Sequence, residues 1–184
     1  MGARSSSRYA NAARDSAGNV HHTLAETESA VADRLDGMVV DVDSMAAVQN
    51  IYRAANTIRN HLEQTVLAPH DLTWTGWVVL WVVWIWGDIE TRHVAIEAGI
   101  SKGTLTGVIG TLEKRDLLIR RVHPDDARRV LVALTPRGRS LMTTLFPIFN
   151  AAEAQVTAAL GSREKKELAT SLRAVVAQVD ELSP

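Results

Sequence analysis

Cysteine is absent from the 184 residues of this chain. A disulfide, a thiolate metal site and a cysteine redox switch are therefore excluded. Long hydrophobic runs are also absent, because the apolar stretch at residues 74–86 is shorter than the roughly 20 residues that cross a bilayer. Since the N-terminus carries no secretory signal, the sequence predicts a cytoplasmic protein without membrane association.

The motifs of common catalytic sites are missing as well. The sequence has no glycine-rich phosphate loop, no Gly-x-Ser-x-Gly elbow, no His-Glu-x-x-His pair and no cluster of carboxylates. His21 and His22 are adjacent, whereas a zinc site on a helix needs two histidines four residues apart. We therefore predict no enzyme activity, no cofactor and no metal site.

Charge is balanced over the whole chain but not along it. The net charge is −1, from 20 basic and 21 acidic residues. Residues 101–139 hold nine basic against four acidic residues, which is +5, and residues 1–43 hold four against seven, which is −3. Because the local patch governs contact with phosphates, the middle of the chain is a candidate nucleic-acid surface. Taken alone, the charges fit an ordinary solvated face equally well.

Residues 91–114 carry the pattern of two short helices joined by a tight turn. In the first helix, Val94, Ala95 and Ala98 fall on one face. Gly99 suits the left-handed conformation that ends a helix, and Ser101 is placed to cap the next one. The second helix has apolar residues at the spacing of a buried face, namely Leu105, Val108, Ile109 and Leu112.

Two strand-like runs follow this helix pair. They cover residues 117–122 and 129–134, and residues 123–126 form the loop between them. A helix pair followed by a basic hairpin is the arrangement of a winged helix-turn-helix that docks on duplex DNA. The predicted fold class is therefore mainly α, with a small β-hairpin wing.

The segment LEKRDLLIRRVHPDDARRVLVALTPRG resembles the core of the MarR-type winged-helix transcriptional regulators. The most specific part of this segment is the wing signature, which consists of an Asp, any residue, an Arg, five further residues and Leu-Thr. In this chain the signature begins with Asp126 and Arg128 and ends with Leu134 and Thr135. A weaker resemblance extends from about residue 45 to the C-terminus. The resemblance implies a homodimer, built from terminal helices, that binds a pseudo-palindromic operator and is often released by a small ligand.

A long helix is predicted before the helix-turn-helix, at residues 45–67. Asp43 or Ser44 is the expected N-cap, and Pro69 is the expected stop. The apolar stripes of this helix and of the two C-terminal helices are too extensive for a lone domain of this size, which indicates an interface. An intramolecular helical bundle is the alternative interpretation.

The predicted organisation is an N-terminal extension at residues 1–44, a frayed tail with one short helix, followed by a MarR-like domain at 45–184. Dimerisation helices are expected at 45–72 and 136–184, around a DNA-binding region at 73–135. The expected partners are double-stranded DNA and a second copy of the chain. The alternative function is a protein-interaction module with weak or no DNA binding.

The recognition helix has an unusual face. Gly103, Gly107 and Gly110 lie opposite its apolar stripe, and the resembled family usually has a long side chain, often Arg, at the position of Gly107 and other side-chain-bearing residues at Gly110. An interior helical glycine costs roughly 0.5–1 kcal/mol relative to alanine, so either the backbone approaches the groove closely or this face reads DNA weakly. The predicted DNA-binding residues are Ser101, Lys102, Gly103, Thr104, Thr106, Gly107, Arg120, Arg121, Asp126, Arg128 and Arg129.

The basic residues of the wing have different expected roles. Arg128 corresponds to the motif arginine, which would enter a narrow minor groove, and Asp126 is placed to orient its guanidinium. Arg129 is the alternative residue at the tip, and Arg120 and Arg121 are expected on phosphates. A purely structural clasp between Asp126 and Arg128 is the other interpretation.

An effector pocket is the last expectation. Trp74, Trp77, Trp81 and Trp84 fall within one stripe of the 74–86 helix, which fits either core packing or an aromatic pocket. In a pocket, Arg59 of the preceding helix would pair with an anion. The predicted effector-binding residues are Tyr52, Asn56, Arg59, His61, Trp77 and Trp81, and the expected ligand is a small aromatic or phenolic molecule.

Overall fold

The computed structural model describes residue 22, residues 24–123 and residues 126–182, apart from the side chains of residues 24, 127 and 128. It is mainly helical with one small antiparallel sheet, so the predicted fold class is confirmed. The chain divides into two compact units, one up to Ile51 and the other from Tyr52 onward. That boundary lies inside a helix, and the predicted division of the chain after residue 44 stays a prediction.

The first helices are α1 (Leu24–Leu35) and α2 (Val42–Leu62). α2 starts earlier than predicted because Asp41 caps it. The Ser44 amide donates to Asp41 Oδ1 at 2.9 Å, and the Ser44 hydroxyl donates to Oδ2 at 2.7 Å. These hydrogen bonds hold the pKa of Asp41 below its ordinary value. The predicted caps, Asp43 and Ser44, are therefore wrong, because both lie within the first turn.

α2 does not run as a regular helix to Pro69. After Leu62 the backbone widens into a π-helical turn, Glu63–Leu67, and then tightens into a 3-10 turn, Ala68–His70. Asp71 closes this segment with a left-handed φ of 53°. The apolar pattern predicts burial correctly at Leu62 and Val66, whereas Val48 and Tyr52 of the same pattern are 60% and 73% exposed, and the pattern does not predict the change in helix type.

The remaining elements belong to the second unit. The helices are α3 (Trp74–Trp86), α4 (Thr91–Glu97), α5 (Lys102–Lys114), α6 (Pro136–Val156) and α7 (Ser162–Leu182). The strands are β1 (Ile89–Glu90), β2 (Leu118–His123) and β3 (Asp126–Leu134), in the sheet order β1-β3-β2. The hairpin of β2 and β3 was expected, but β1 was not, because two residues are too few to show an alternating pattern.

The predicted helix-turn-helix is confirmed in detail. Gly99 follows α4 with a left-handed φ of 62°, and Ser101 Oγ accepts a hydrogen bond from the Thr104 amide at 3.1 Å. The apolar face of α5 packs into the core as expected, with Leu105, Ile109 and Leu112 buried and Val108 partly buried. α3 also has its predicted limits, and Gly87 ends it with a φ of 75°.

A single junction joins the end of α5, the hairpin and the start of α6. Thr135, which is buried, donates its hydroxyl to the Asp116 carbonyl at 2.6 Å and accepts from the Gly138 amide at 2.9 Å. The Thr135 amide donates to the Leu117 carbonyl at 3.2 Å. A Cβ at Gly138 would collide with that same carbonyl oxygen. The first turn of α6 therefore packs directly on the backbone between α5 and β2.

We predict that Gly138→Ala destabilises the fold by about 2–3 kcal/mol, because the added methyl forces α6 away from the Leu117 carbonyl. Gly110→Ala is the matched control. It lies inside α5 with open space where its Cβ would be, so alanine should stabilise by roughly 0.5–1 kcal/mol. Chemical unfolding at one fixed protein concentration measures both changes, and equal effects would contradict the packing argument.

Candidate nucleic-acid interface

The exposed face of α5 is largely bare backbone. Within the described chain, no atom beyond the neighbouring residues and the backbone of α5 itself lies within 4 Å of the position that a Cβ would take at Gly107 or Gly110. At Gly103 the nearest such atom is the Ser101 hydroxyl oxygen, at 3.8 Å. Close packing among these described residues therefore does not require glycine at the three positions, and the flat face is available to an outside molecule.

Threonines border this glycine face. The hydroxyls of Thr106 and Thr111 donate to helix carbonyls one turn earlier, at 2.9 and 3.0 Å. The hydroxyl oxygens of Thr104 and Ser101 lie 2.9 Å apart. The hydroxyl protons of Thr106 and Thr111 are thus used inside the helix, and these side chains offer an outside molecule their methyl groups and an oxygen that can still accept.

A basic cavity connects α5 with the wing. Its volume is about 530 Å³, and its lining residues are Thr91, Arg92, Lys102, Leu105, Thr106, Ile109, Arg120 and Val130. Three of these residues carry positive charge, and none is acidic. The predicted DNA-contact residues Lys102, Thr106 and Arg120 are thus brought together from α5 and β2 on one concave surface.

Two arginines of β2 have acidic partners within the chain. Arg120 Nη1 lies 2.5 Å from Glu113 Oε2, and Arg121 Nη1 lies 3.0 Å from Asp88 Oδ2. The arginine side chains are 39% and 55% exposed, so a phosphate can still reach them. These carboxylates also orient the guanidinium groups. The sequence did not indicate the partners, because only the fold brings Asp88 next to β2.

Glu90 is a second residue that sequence reasoning missed. Its side chain is only 10% exposed and forms ion pairs with Arg129 and with Arg92, whose Nε lies 3.0 Å from Glu90 Oε2. The hydrogen bond from Arg129 is the main reason that the pKa of Glu90 lies below its ordinary value. Arg129 therefore holds β3 against β1, which is a different position from the wing tip expected for it.

The rest of the wing motif is only partly described. Asp126 is exposed at the start of β3 and pairs with His123 across the hairpin. The side chain of Arg128 lies outside the described residues. The clasp between Asp126 and Arg128, and the insertion of Arg128 into a minor groove, therefore stay predictions.

A second cavity, here called the aromatic cavity, lies between α3 and α6. It has a volume of about 340 Å³ and is lined by Trp74, Trp77, Val78, Trp81, Phe146, Phe149 and Glu153. Trp77 is buried and stacks on Phe149 with ring centroids 4.5 Å apart, whereas Trp81 is 40% exposed. The tryptophans of α3 therefore pack in the core and also line a cavity, so core packing and an aromatic pocket are compatible.

The predicted effector residues are not all brought together. Trp77 and Trp81 line the aromatic cavity, but the polar residues expected from α2 do not, namely Tyr52, Asn56, Arg59 and His61. Tyr52 is 73% exposed, and Arg59 Nε lies 3.9 Å from Glu63 Oε2 on the same helix. An effector role for these four residues stays a prediction.

Two other expected features can be compared with the described ranges. None of the helices in those ranges combines the length and the apolar character needed to cross a membrane. The same ranges bring no three metal-ligating side chains together.

α4, α5 and the β2–β3 hairpin define a winged helix-turn-helix protein. The sequence pattern of the MarR family matches residues 72–130. The chain is 33% identical over 158 residues to YwaE of Bacillus subtilis, an HTH-type transcriptional regulator, covering 84% of this chain and 92% of YwaE. The chain belongs to the MarR family and is a transcriptional regulator of that family.

Solved structures show the same fold. BpsR of Bordetella bronchiseptica, whose DNA binding is regulated by 6-hydroxynicotinic acid, has a TM-score of 0.66 and 28% identity, covering 71% of this chain and 98% of BpsR. A MarR mutant from E. coli, solved with operator DNA, has a TM-score of 0.67 and 22% identity. That likeness covers 72% of this chain and 95% of the MarR chain.

We predict that Glu90→Gln destabilises the protein near neutral pH, because Arg129 and Arg92 lose their charged partner. The pKa of Glu90 is lowered in the folded state, so its contribution is present above the ordinary value of 4.5 and is lost as the pH falls through the lowered value. The stability difference between wild type and variant should therefore be largest near pH 7 and shrink in acid.

The matched control for this measurement is Glu97→Gln, which makes the same change on the exposed surface of α4. Its effect on the unfolding free energy should be small, because the side chain is exposed. A Glu90→Gln effect that keeps its full size below pH 4 would contradict the ion-pair explanation.

Proposed function

We propose that this protein is a repressor that binds a pseudo-palindromic DNA operator as a homodimer and is released by a small aromatic effector. The observation that carries the proposal is the concave basic surface shared by α5 and β2, which is lined by Arg92, Lys102 and Arg120. Phosphate contacts of this kind position a duplex, while residues in the groove read its bases.

The recognition helix α5 can bring its backbone close to the bases of a major groove. Ser101 and Lys102 start α5, where free amides and the helix dipole favour a phosphate. Farther along, Gly107 and Gly110 let the backbone lie close to the base edges, and threonine methyl groups can contact thymine methyls. In this arrangement the middle of the helix contributes no bidentate arginine, so the wing supplies more of the specificity.

The dimer is supported by the exposed apolar surface of α7. None of its residues is buried, yet it carries six large apolar residues that are 36–75% exposed, namely Leu168, Leu172, Val175, Val176, Val179 and Leu182. Their spacing places them on one side of the helix. A surface of this kind is stabilised by a partner, and a two-fold dimer matches a palindromic site.

The protein-interaction alternative is favoured by the acids that pair with the wing arginines, since they reduce the charge available to DNA. A salt titration separates the two functions. An operator-binding protein loses affinity steeply as salt rises and prefers one sequence, whereas an interaction module shows neither property.

We predict that Arg128→Ala weakens binding to the operator about tenfold or more, because the wing loses the side chain expected in the minor groove. The measurement is a gel-shift titration at low salt with a footprinted duplex from upstream of the protein's own coding sequence. Arg59→Ala removes the same charge from α2 and should leave affinity nearly unchanged. Wild-type affinity of the Arg128→Ala variant would contradict the wing role.

We predict that Val176→Asp turns the dimer into a monomer, because it places a charge within the α7 apolar surface. Ala177→Asp introduces the same charge on the opposite side of the helix and should remain dimeric. Sedimentation equilibrium at micromolar concentration measures the mass of each form. A wild-type protein that sediments as a monomer would contradict the proposed assembly.

A further inference from the structure

The aromatic cavity has an unusual charge. Among the seven described residues that line it, Glu153 is the one ionisable side chain, and the other six are apolar or aromatic. No arginine, lysine or histidine stands among these lining residues. The cavity therefore presents a negative field to a ligand, which is opposite to the field that Arg59 would have supplied.

Aromatic rings from two helices line the same cavity as this carboxylate. Trp77 stacks on Phe149, and Trp74 lies with its ring centroid 6.1 Å from that of the same phenylalanine. Trp81 completes the wall toward solvent. The faces of indole and phenyl rings attract cations through their quadrupoles, and tryptophan does so most strongly. The walls and the acidic group thus favour the same sign of ligand charge.

Glu153 is held in place by its own helix. Asn150 Nδ2 donates to Glu153 Oε2 at 2.9 Å, one turn earlier along α6. The residue is half-buried, so part of its hydration is already lost, and an approaching cation can compensate for that loss. An anion in the same place would meet both the carboxylate and the negative ring faces.

We propose that the aromatic cavity binds a small aromatic cation, and that Glu153 is the residue that selects its charge. The proposal names the chemical class of the effector, and it rests on the proposed function only where ligand binding is said to release the protein from DNA. The ring of the ligand packs against Trp81, the most exposed ring of the cavity wall, and its cationic group faces Glu153. Binding to the free protein requires no DNA.

Three probes of nearly equal shape test the charge preference. Benzamidine is a cation at neutral pH, benzamide is neutral and benzoate is an anion. Each is titrated into the full-length protein without DNA while the indole N–H signals of the five tryptophans are followed by NMR. Trp77 and Trp81 should shift with benzamidine, whereas Trp86, which does not line the cavity, should not.

The expected order of affinity is benzamidine, then benzamide, then benzoate. Each step should be about fivefold, the factor that one partly exposed charge interaction supplies. Glu153→Gln should bring the three affinities within about twofold of each other, because it removes the charge and keeps the size. Glu97→Gln, which removes a carboxylate outside the cavity, should preserve the wild-type order.

Three results would overturn the proposal. They are benzoate binding as tightly as benzamidine, an unchanged order in Glu153→Gln, and no shift of Trp77 or Trp81 with any probe. Operator binding by the same preparations is measured separately without probes. A protein that does not bind the operator would contradict the proposed function. The charge preference of the cavity would then still be decided by the three probes alone.

Discussion

The packing of the first turn of α6 against the backbone between α5 and β2 is the constraint on which the rest of the winged domain depends. Thr135 has hydrogen bonds to Asp116, Leu117 and Gly138, so one buried residue ties the end of the recognition helix to both strands and to α6. The contact is possible only because Gly138 has no side chain. Burial of a polar side chain costs little free energy when its hydrogen bonds are satisfied. Here each of those bonds also holds two segments of the backbone together.

A second set of contacts, made by Glu90, holds the side of the wing. Glu90 binds Arg129 of β3 and Arg92 of α4, and the short strand that contains it completes the sheet. The hairpin is therefore attached at its base by Thr135 and at its side by Glu90. These contacts hold the hairpin against the helices next to it, and a surface that is ordered beforehand loses less conformational entropy on binding. The same acids that organise the arginines also reduce their net charge, so affinity is exchanged for a defined geometry.

Several local features of the fold could be predicted from the sequence, although the N-cap of α2 was not among them, and the long-range side-chain partners could not be predicted. Gly99 and Ser101 determine the turn and the cap by their own backbone and side-chain chemistry, and both were placed correctly. The partner of Arg121 could not be read, because Asp88 lies 33 positions earlier and becomes adjacent only in the folded sheet. The sequence likewise predicts an aromatic pocket beside α2 and gives no sign of a wall from α6. The other wall of the aromatic cavity comes from α6, and no pattern within the tryptophan helix shows which distant element will pack on it.

The most direct test of this account is selection of bound sequences from a random duplex library by the full-length protein, followed by sequencing. The account holds that two winged domains, related by a dimer axis, each place α5 in a major groove. The enriched sequences should therefore share a two-fold-symmetric pattern whose half-sites are separated by about one helical turn, roughly 10 base pairs, and enrichment should fall as salt rises. A library that shows no enrichment, or an enriched site without two-fold symmetry, would contradict the central claim.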